Sequence, residues 1–278
     1  MPIEITFSEL REKHQAILFD AYGVLVDASG ARPGAAAAIA ILRRAGQPFL
    51  VVTNDASRSA LSAATRLSRL GIDVGPEHIM SSGMMVAPAI REMKREGLRV
   101  VVVGPADSAA YAREAGVEVV APTVDDPADV VVFADESGYD TLTTMNSVLS
   151  MIIAAVRKGK TPRLLLANPD LIYPAGAASF GFTAGALAVM LDRGLALVLG
   201  DRAPVFEILG KPSSRIFTEA IARIGLSDAV MIGDQLHTDI AGAHSVGMAS
   251  ALLLGGVSDA RAVGEWGEWT PRYVLRSL

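Results

Sequence analysis

The sequence contains no cysteine, which excludes disulfides, zinc–thiolate centres and a cysteine nucleophile. Aromatic residues supply only 5% of it, yet 51% is hydrophobic, so the apolar surface is mainly aliphatic. That much aliphatic side chain offsets the entropy of ordering and excludes a disordered chain. Positive charge is in deficit: 25 Lys and Arg against 30 Asp and Glu leave a net charge of −5. A nucleic-acid-binding protein would need a basic face, so nucleic acid is not expected as a partner, although a local site can still attract an anion. The patterns GxxxxGK[ST], GxSxG and GxGxxG are absent, which removes the phosphate-loop, serine-elbow and dinucleotide readings. The four histidines show no HxH or HxxxH spacing, so no zinc site is expected.

Long hydrophobic runs are also scarce. Leu171–Leu191 passes about 20 residues without a charge, enough to span a bilayer. Pro174, Gly176, Gly181 and Gly185 interrupt it, and it reads as a loop followed by a buried helix rather than a membrane span. The stretch MPIEITFSELREKHQ is charged throughout and has no apolar signal region. A soluble cytoplasmic protein is the expectation. At roughly 150 residues per domain, 278 residues allow one large domain or two smaller ones.

What the sequence does hold is a succession of short aliphatic runs: AILF at 16–19, FLVV at 49–52, VVVV at 100–103, VVVF at 130–133, RLLLA at 163–167, VMI at 230–232 and ALLL at 251–254. Each is too short for a helix and apolar on both faces, as strands of a parallel sheet covered on both sides are. Amphipathic stretches lie between them, among them GAAAAIAILRRAG, SRSALSAATRLSRLG and PSSRIFTEAIARIG. Strand–helix alternation with right-handed crossovers predicts an α/β fold.

In open α/β sheets ligands bind beyond the carboxyl ends of the strands. Polar residues just after the apolar runs are therefore the place to look, and four stand out. Asp20, with Gly23 at a turn behind it, is a nucleophile, a metal ligand or a turn-capping aspartate. Thr53, Asn54 and Asp55 open a helix whose N–H groups favour an anion, or simply cap it. Lys211 precedes a Pro-started helix and either neutralises an oxyanion or is solvated. Asp234 and Asp239 follow a strand in a Gly-containing turn, a donor set suited to Mg²⁺.

An acid, a Thr/Asn donor, a lysine and an acidic pair in this order resemble the haloacid dehalogenase superfamily of hydrolases. The words TNDASRS, ANPD, GKPS and GDQLHTDI look like its type IIA group of p-nitrophenyl, phosphoglycolate, pyridoxal and nucleotide phosphatases. The resemblance implies a doubly wound parallel-sheet core from residues 1–81 and 200–278, with an inserted, smaller α/β cap at 82–199. It implies a Mg²⁺-dependent phosphatase acting on a small phosphorylated metabolite, with Asp20 attacking phosphorus and Thr53 and the backbone near Asn54 holding the phosphoryl oxygens. Lys211 would neutralise charge, and Asp20, the Tyr22 carbonyl and Asp234 would bind Mg²⁺ with support from Asp239. Gly23 and Asp55, with Asn168 and Asp170 of the cap turn, fall on the substrate side. That NPD turn also reads as a plain β-turn. A homodimer through the cap is implied as well.

One position departs from the pattern. Phosphatases of the superfamily mostly read Asp-x-Asp at the first motif, the second aspartate serving as general acid and base; this chain reads Asp20-Ala21-Tyr22. General acid–base assistance is worth ~100- to 10,000-fold. Either the leaving group needs no proton, or Tyr22, Asp27 or His237 supplies it, or hydrolysis is lost and a phosphometabolite-binding protein remains. Dehalogenases share Asp-x-Tyr-Gly at this motif, but they work without metal, and Asp234 favours the phosphatase. Trp266 and Trp269 read as packing or dimer-contact residues.

Overall fold

The computed structural model describes residues 1–176, 179–257 and 269–278. Two parallel sheets dominate it. The larger has seven strands: β1 (Ile3–Glu4), β2 (Ala16–Phe19), β5 (Phe49–Thr53), β6 (Ile79–Ser81), β14 (Ala229–Gly233), β15 (Ala249–Leu253) and β16 (Tyr273–Leu275), in the order β1-β16-β15-β14-β2-β5-β6. All of its pairings are parallel. The second has five strands: β7 (Arg99–Val103), β8 (Glu118–Val119), β9 (Val130–Phe133), β10 (Arg163–Leu166) and β13 (Phe206–Ile208), in the order β13-β10-β9-β7-β8. It too is wholly parallel. Each of the seven aliphatic runs lies in one of these strands, and burial of every residue in β2, β5, β9 and β14 explains why they read as unbroken apolar segments. The second sheet draws its last strand from residues 206–208, past position 199.

The helices follow the amphipathic stretches. Helix α2 (Ala35–Ala45) buries Ala35, Ala38, Ile39 and Leu42, and Gly46 ends it in a left-handed turn. Helix α3 (Ala60–Arg69) is capped by the Ser59 side chain and turns Ala64 and Leu67 inward. Helix α8 (Ser214–Ile224) buries Ile216, Phe217 and Ala220 and stops at Gly225. Helix α1 (Phe7–Lys13) carries a reciprocal capping box between Thr6 and Glu9. Helices α4 (Val86–Arg91), α5 (Ala106–Arg113), α6 (Thr141–Arg157), α7 (Ala184–Leu199) and α9 (Ala241–Ser245) complete the set.

The uncharged run from 171 differs from its reading as loop and helix. An antiparallel hairpin, β11 (Ile172–Gly176) and β12 (Ser179–Phe182), precedes α7. Its β-forming Ile172, Tyr173, Phe180 and Phe182 outweigh the interrupting glycines. A second small hairpin, β3 (Val26–Asp27) with β4 (Gly30–Ala31), follows the turn after β2. No helix among the described residues is long and apolar enough to cross a membrane.

One apolar cluster joins the two sheets: Leu18, Leu50 and Met231 of the larger pack in it with Val100, Val132 and Leu165 of the second. Helices α4 and α8 lie between, supplying Val86, Ala89, Ile90, Ile216 and Phe217. This core fixes the two sheets so that the carboxyl ends of β2 and β5 and those of β9 and β10 border one cavity of about 370 Å³. Trp269 is partly exposed, at 39%, which does not make it a core residue; Trp266 lies outside the described residues.

Candidate active site

The floor of the cavity is built where the order of the large sheet reverses about β2, between β5 and β14. Asp20 leaves the end of β2, its N–H donating to Ile232 O at 2.9 Å. Lys211 is 2% exposed, and its Nζ donates to Asp20 Oδ1 at 2.6 Å and to Asp239 Oδ1 at 2.7 Å. The Ala21 N–H gives Asp20 Oδ1 a second donor at 2.7 Å. Burial and the nearby carboxylates Asp239 and Asp234 push the Asp20 carboxyl up, while Lys211 pulls it down; burial wins. Asp20, Asp239 and Asp170 outweigh desolvation at Lys211 and hold it firmly protonated.

Asp239 sits in a single π-helical turn, Leu236–Ile240, an irregularity common at functional sites. While its Oδ1 takes the lysine, its Oδ2 accepts the N–H groups of Asp234 and Gln235, both at 3.1 Å. Asp239 thus has both oxygens engaged and shapes the loop. Asp234 has one oxygen engaged: Oδ2 accepts from Val257 N at 2.7 Å, and buried Oδ1 has no partner among the described residues. Burial, then Asp239, raise its carboxyl to about 7. Two glycines make room for it. A Cβ at Gly23, whose φ is +97°, would stand 2.3 Å from Asp234 Oδ2, and one at Gly256 2.2 Å from the same atom.

With all three carboxyls ionised, as a bound cation would hold them, one ammonium leaves two negative charges in a fully buried cluster, with oxygens of Asp20, Asp234 and Asp239 all within 4.8 Å of one another. Uncompensated buried charge is costly. An all-oxygen donor set with an orphaned carboxylate oxygen fits a hard divalent cation, Mg²⁺.

Above the floor, Thr53 Oγ1 accepts from Asp55 N at 3.2 Å, which leaves its hydroxyl proton to be donated elsewhere. Asn54 is spent on positioning. Its Oδ1 accepts Lys211 N at 2.7 Å, and its Nδ2 donates to Lys211 O and Asp170 Oδ1, each at 3.0 Å. Asp55 is spent too, accepting from the Ser57 N–H and hydroxyl and from Arg58 at 2.7 Å. Asn168 Oδ1 accepts the Asp170 N–H at 3.1 Å, the bond of an Asx turn. That turn delivers Asp170 from the second sheet to Asn54, so the NPD segment is both a turn and part of the cavity wall. Burial raises the Asp170 carboxyl.

The structure brings Asp20, Tyr22, Thr53, Asn54, Asp55, Asn168 and Asp170 to the cavity wall, with Lys211, Asp234, Asp239 and Gly23 packed beneath it. Asp27 and His237 are not on that wall. Asp27 accepts from the Ser29 hydroxyl and N–H, bonds that hold its carboxyl low and make it a poor acid. Residues that the sequence reading missed complete the site: Arg58, Arg66, Asp135, Glu136, Tyr173 and Gln235. Asp135 follows VVVF after a single alanine, so the strand-end rule that found Asp20 also marks it. Tyr173 meets the Tyr22 ring edge to face at 6.0 Å. Helix α5 braces the phosphate-side loop from the second sheet. Ser108 Oγ donates to Ala56 O at 2.7 Å, Tyr111 OH to Arg58 O at 2.8 Å, and Ser59 N donates to Asp107 Oδ2 at 2.9 Å.

Comparison with known proteins agrees with this geometry. The profile of haloacid dehalogenase-like hydrolases matches residues 17–118, and a second HAD-hydrolase-like profile matches residues 208–278. Human chronophin is 30% identical over 95% of this chain and 90% of its own. D-glycerol 3-phosphate phosphatase of Mycobacterium tuberculosis is 30% identical over 90% of this chain, which spans 66% of that protein's length. A possible sugar phosphatase from Cytophaga hutchinsonii superposes with a TM-score of 0.82 at 28% identity, covering 100% of this chain and 98% of that one. A glycerol phosphate phosphatase from Mycobacterium tuberculosis, in complex with magnesium, gives 0.77 at 27% identity, covering 98% and 76%. With a common α/β architecture and one relative matched along nearly its whole length, the protein belongs to the haloacid dehalogenase-like hydrolases.

Proposed function

We propose that the protein is a Mg²⁺-dependent phosphatase that hydrolyses the phosphate ester of a small metabolite through an aspartyl-phosphate on Asp20. The observation that carries this reading is the buried Asp20–Lys211–Asp239 chain of charged hydrogen bonds beneath the cavity. Lys211 and Ala21 N both hold Asp20 Oδ1, which fixes the carboxylate and leaves Oδ2 to attack phosphorus. Attack forms the Oδ2–P bond and breaks the P–O bond to the leaving group. Water then attacks phosphorus, the Oδ2–P bond breaks, and inorganic phosphate departs.

The Thr53 hydroxyl and the main chain at Asn54 donate to the phosphoryl oxygens, and the Lys211 charge offsets the negative charge gathering there. Mg²⁺ would be held by Asp20, Asp234 and the Tyr22 carbonyl, supplying Lewis-acid neutralisation of the phosphoryl oxygens. Burial raises the Tyr22 phenol, so it remains protonated at neutral pH and can donate to a leaving oxygen. It is a weak base, so the second step relies on water alone. Activated esters and acyl phosphates should therefore be the fastest substrates.

The relatives whose names give an activity are phosphatases, which supports a phosphatase over a dehalogenase. Phosphate release with and without Mg²⁺, across esters of varied leaving-group pKa, tests the reading. Asp20→Asn is expected to abolish release, and release retained in that variant would falsify the covalent step. Tight binding of intact esters with no release from any of them would favour the phosphometabolite-binding reading.

We also propose a homodimer through the cap, because Phe182 and Leu197, both within residues 82–199, stand 73% and 89% exposed. Light scattering that returns a monomer mass at micromolar concentration would refute it.

A further inference from the structure

Two arginines line the cavity, and they are not equivalent. Arg58 is compensated, bonded to Asp55 Oδ2 at 2.7 Å and to Ser57 Oγ at 2.9 Å. Arg66 has no carboxylate within ion-pair distance among the described residues, although Asp55, Asp135, Glu136 and Asp170 line the same cavity. Its place is set by α3: Ala64 and Leu67 on either side are buried, and the guanidinium is delivered to the boundary between the main cavity and an adjoining groove. The charges that act on Asp20 are Lys211, Asp239 and Asp234, whereas Arg66 acts on Tyr22. Arg66 therefore stands with the Tyr22–Tyr173 pair and takes no part in the floor.

An uncompensated guanidinium beside a phenol, in a cavity whose other arginine is already paired, is a receptor for an anion. The transferred phosphoryl group is provided for at the floor. From this, and resting on the phosphatase reading, we propose that Arg66 binds a second anionic group carried by the leaving group. The substrate is then a phosphate ester whose alcohol also bears a carboxylate or another phosphate. Such a group ends in a planar or tetrahedral array of oxygens that the guanidinium meets with two parallel N–H donors.

The test uses matched pairs. 3-Phosphoglycerate and glycerol 3-phosphate differ by a carboxylate in place of a hydroxymethyl group, and fructose 1,6-bisphosphate and fructose 6-phosphate by the second phosphate. Wild-type protein is expected to prefer the more anionic member of at least one pair by about tenfold in kcat/KM, through KM, the usual worth of a partly exposed charge-assisted hydrogen bond. Which pair shows the preference tells carboxylate from phosphate. Arg66→Gln should bring that ratio towards one, and Arg66→Lys should keep part of it. No preference in either pair, or an Arg66→Gln loss equal for both members, overturns the proposal. The same ratios are read as Kd by titration calorimetry in Asp20→Asn with Mg²⁺. An Arg66-dependent preference in Kd without wild-type turnover upholds Arg66 and sinks the phosphatase. Turnover without any Arg66-dependent preference does the reverse.

Discussion

The floor and the wall of the cavity solve the problem of charge in opposite ways. On the floor, Lys211, Asp234 and Asp239 are essentially inaccessible; Lys211 and both oxygens of Asp239 are held by hydrogen bonds, and Asp234 Oδ1 is the open position. On the wall, Arg66 is partly exposed and, among the described residues, without an ion pair. On the proposed mechanism the floor charges act on a phosphoryl group in every turnover, and they are preorganised in a low dielectric, where they act strongly. Arg66, proposed to read the substrate, stays near water, where leaving it unpaired between turnovers costs little.

The largest effect should come from the floor's single cation. Lys211→Met strands Asp20 and Asp239, and loss of one partner from a buried network costs about 3–5 kcal/mol. Urea unfolding at pH 7.5 should register it, with a fall in kcat of at least about 100-fold. A variant as stable and active as wild type would mean that the floor is not an electrostatic unit. Gly23→Ala comes next. The added methyl meets the Asp234 carboxylate and the backbone there is left-handed, so a loss of about 1–3 kcal/mol is expected, together with the stabilisation that Mg²⁺ brings. Differential scanning fluorimetry with and without Mg²⁺ separates the two effects.

A pH titration sharpens the comparison further. The folded protein raises Asp234 to about 7, above its unfolded value near 4, so the folded state binds a proton that the unfolded state releases. In metal-free protein, stability should be greatest below about pH 4 as far as this group is concerned and fall as pH rises towards 7. Mg²⁺ should flatten that fall, because it replaces the proton. A stability that rises with pH across this window in metal-free protein would contradict the assignment. The smallest effect belongs to the wall: Glu136→Gln should change stability by less than about 1 kcal/mol near neutral pH, because burial already raises that carboxyl and one oxygen has no donor to lose.

Most of the floor was legible in the sequence and little of the wall was. Asp20, Thr53 and Asp234 each end a fully apolar run, so strand periodicity and the rule of the sheet's carboxyl edge locate them without coordinates. Lys211 has no such local signal, and it was found by its place in the order of motifs. Arg66 lies on an ordinary amphipathic helix, and Tyr173 lies in a run whose glycines and proline suggested a loop. Their approach to Tyr22 depends on pairings more than 40 residues apart, which no window of sequence contains. Asp135 was legible by the same rule as Asp20 and was passed over.

The bonds from α5 to the 54–59 loop carry one more consequence. Were the second sheet to swing away as a free lid, Ser108, Tyr111 and Asp107 would drag the Ala56–Ser59 segment with them and pull that loop off the floor. A hinge fastened to the very loop it exposes is a poor gate. Traffic of substrate and product then falls to side chains at the cavity wall, the ring pair at positions 22 and 173 among them, whose rotation moves no strand of either sheet.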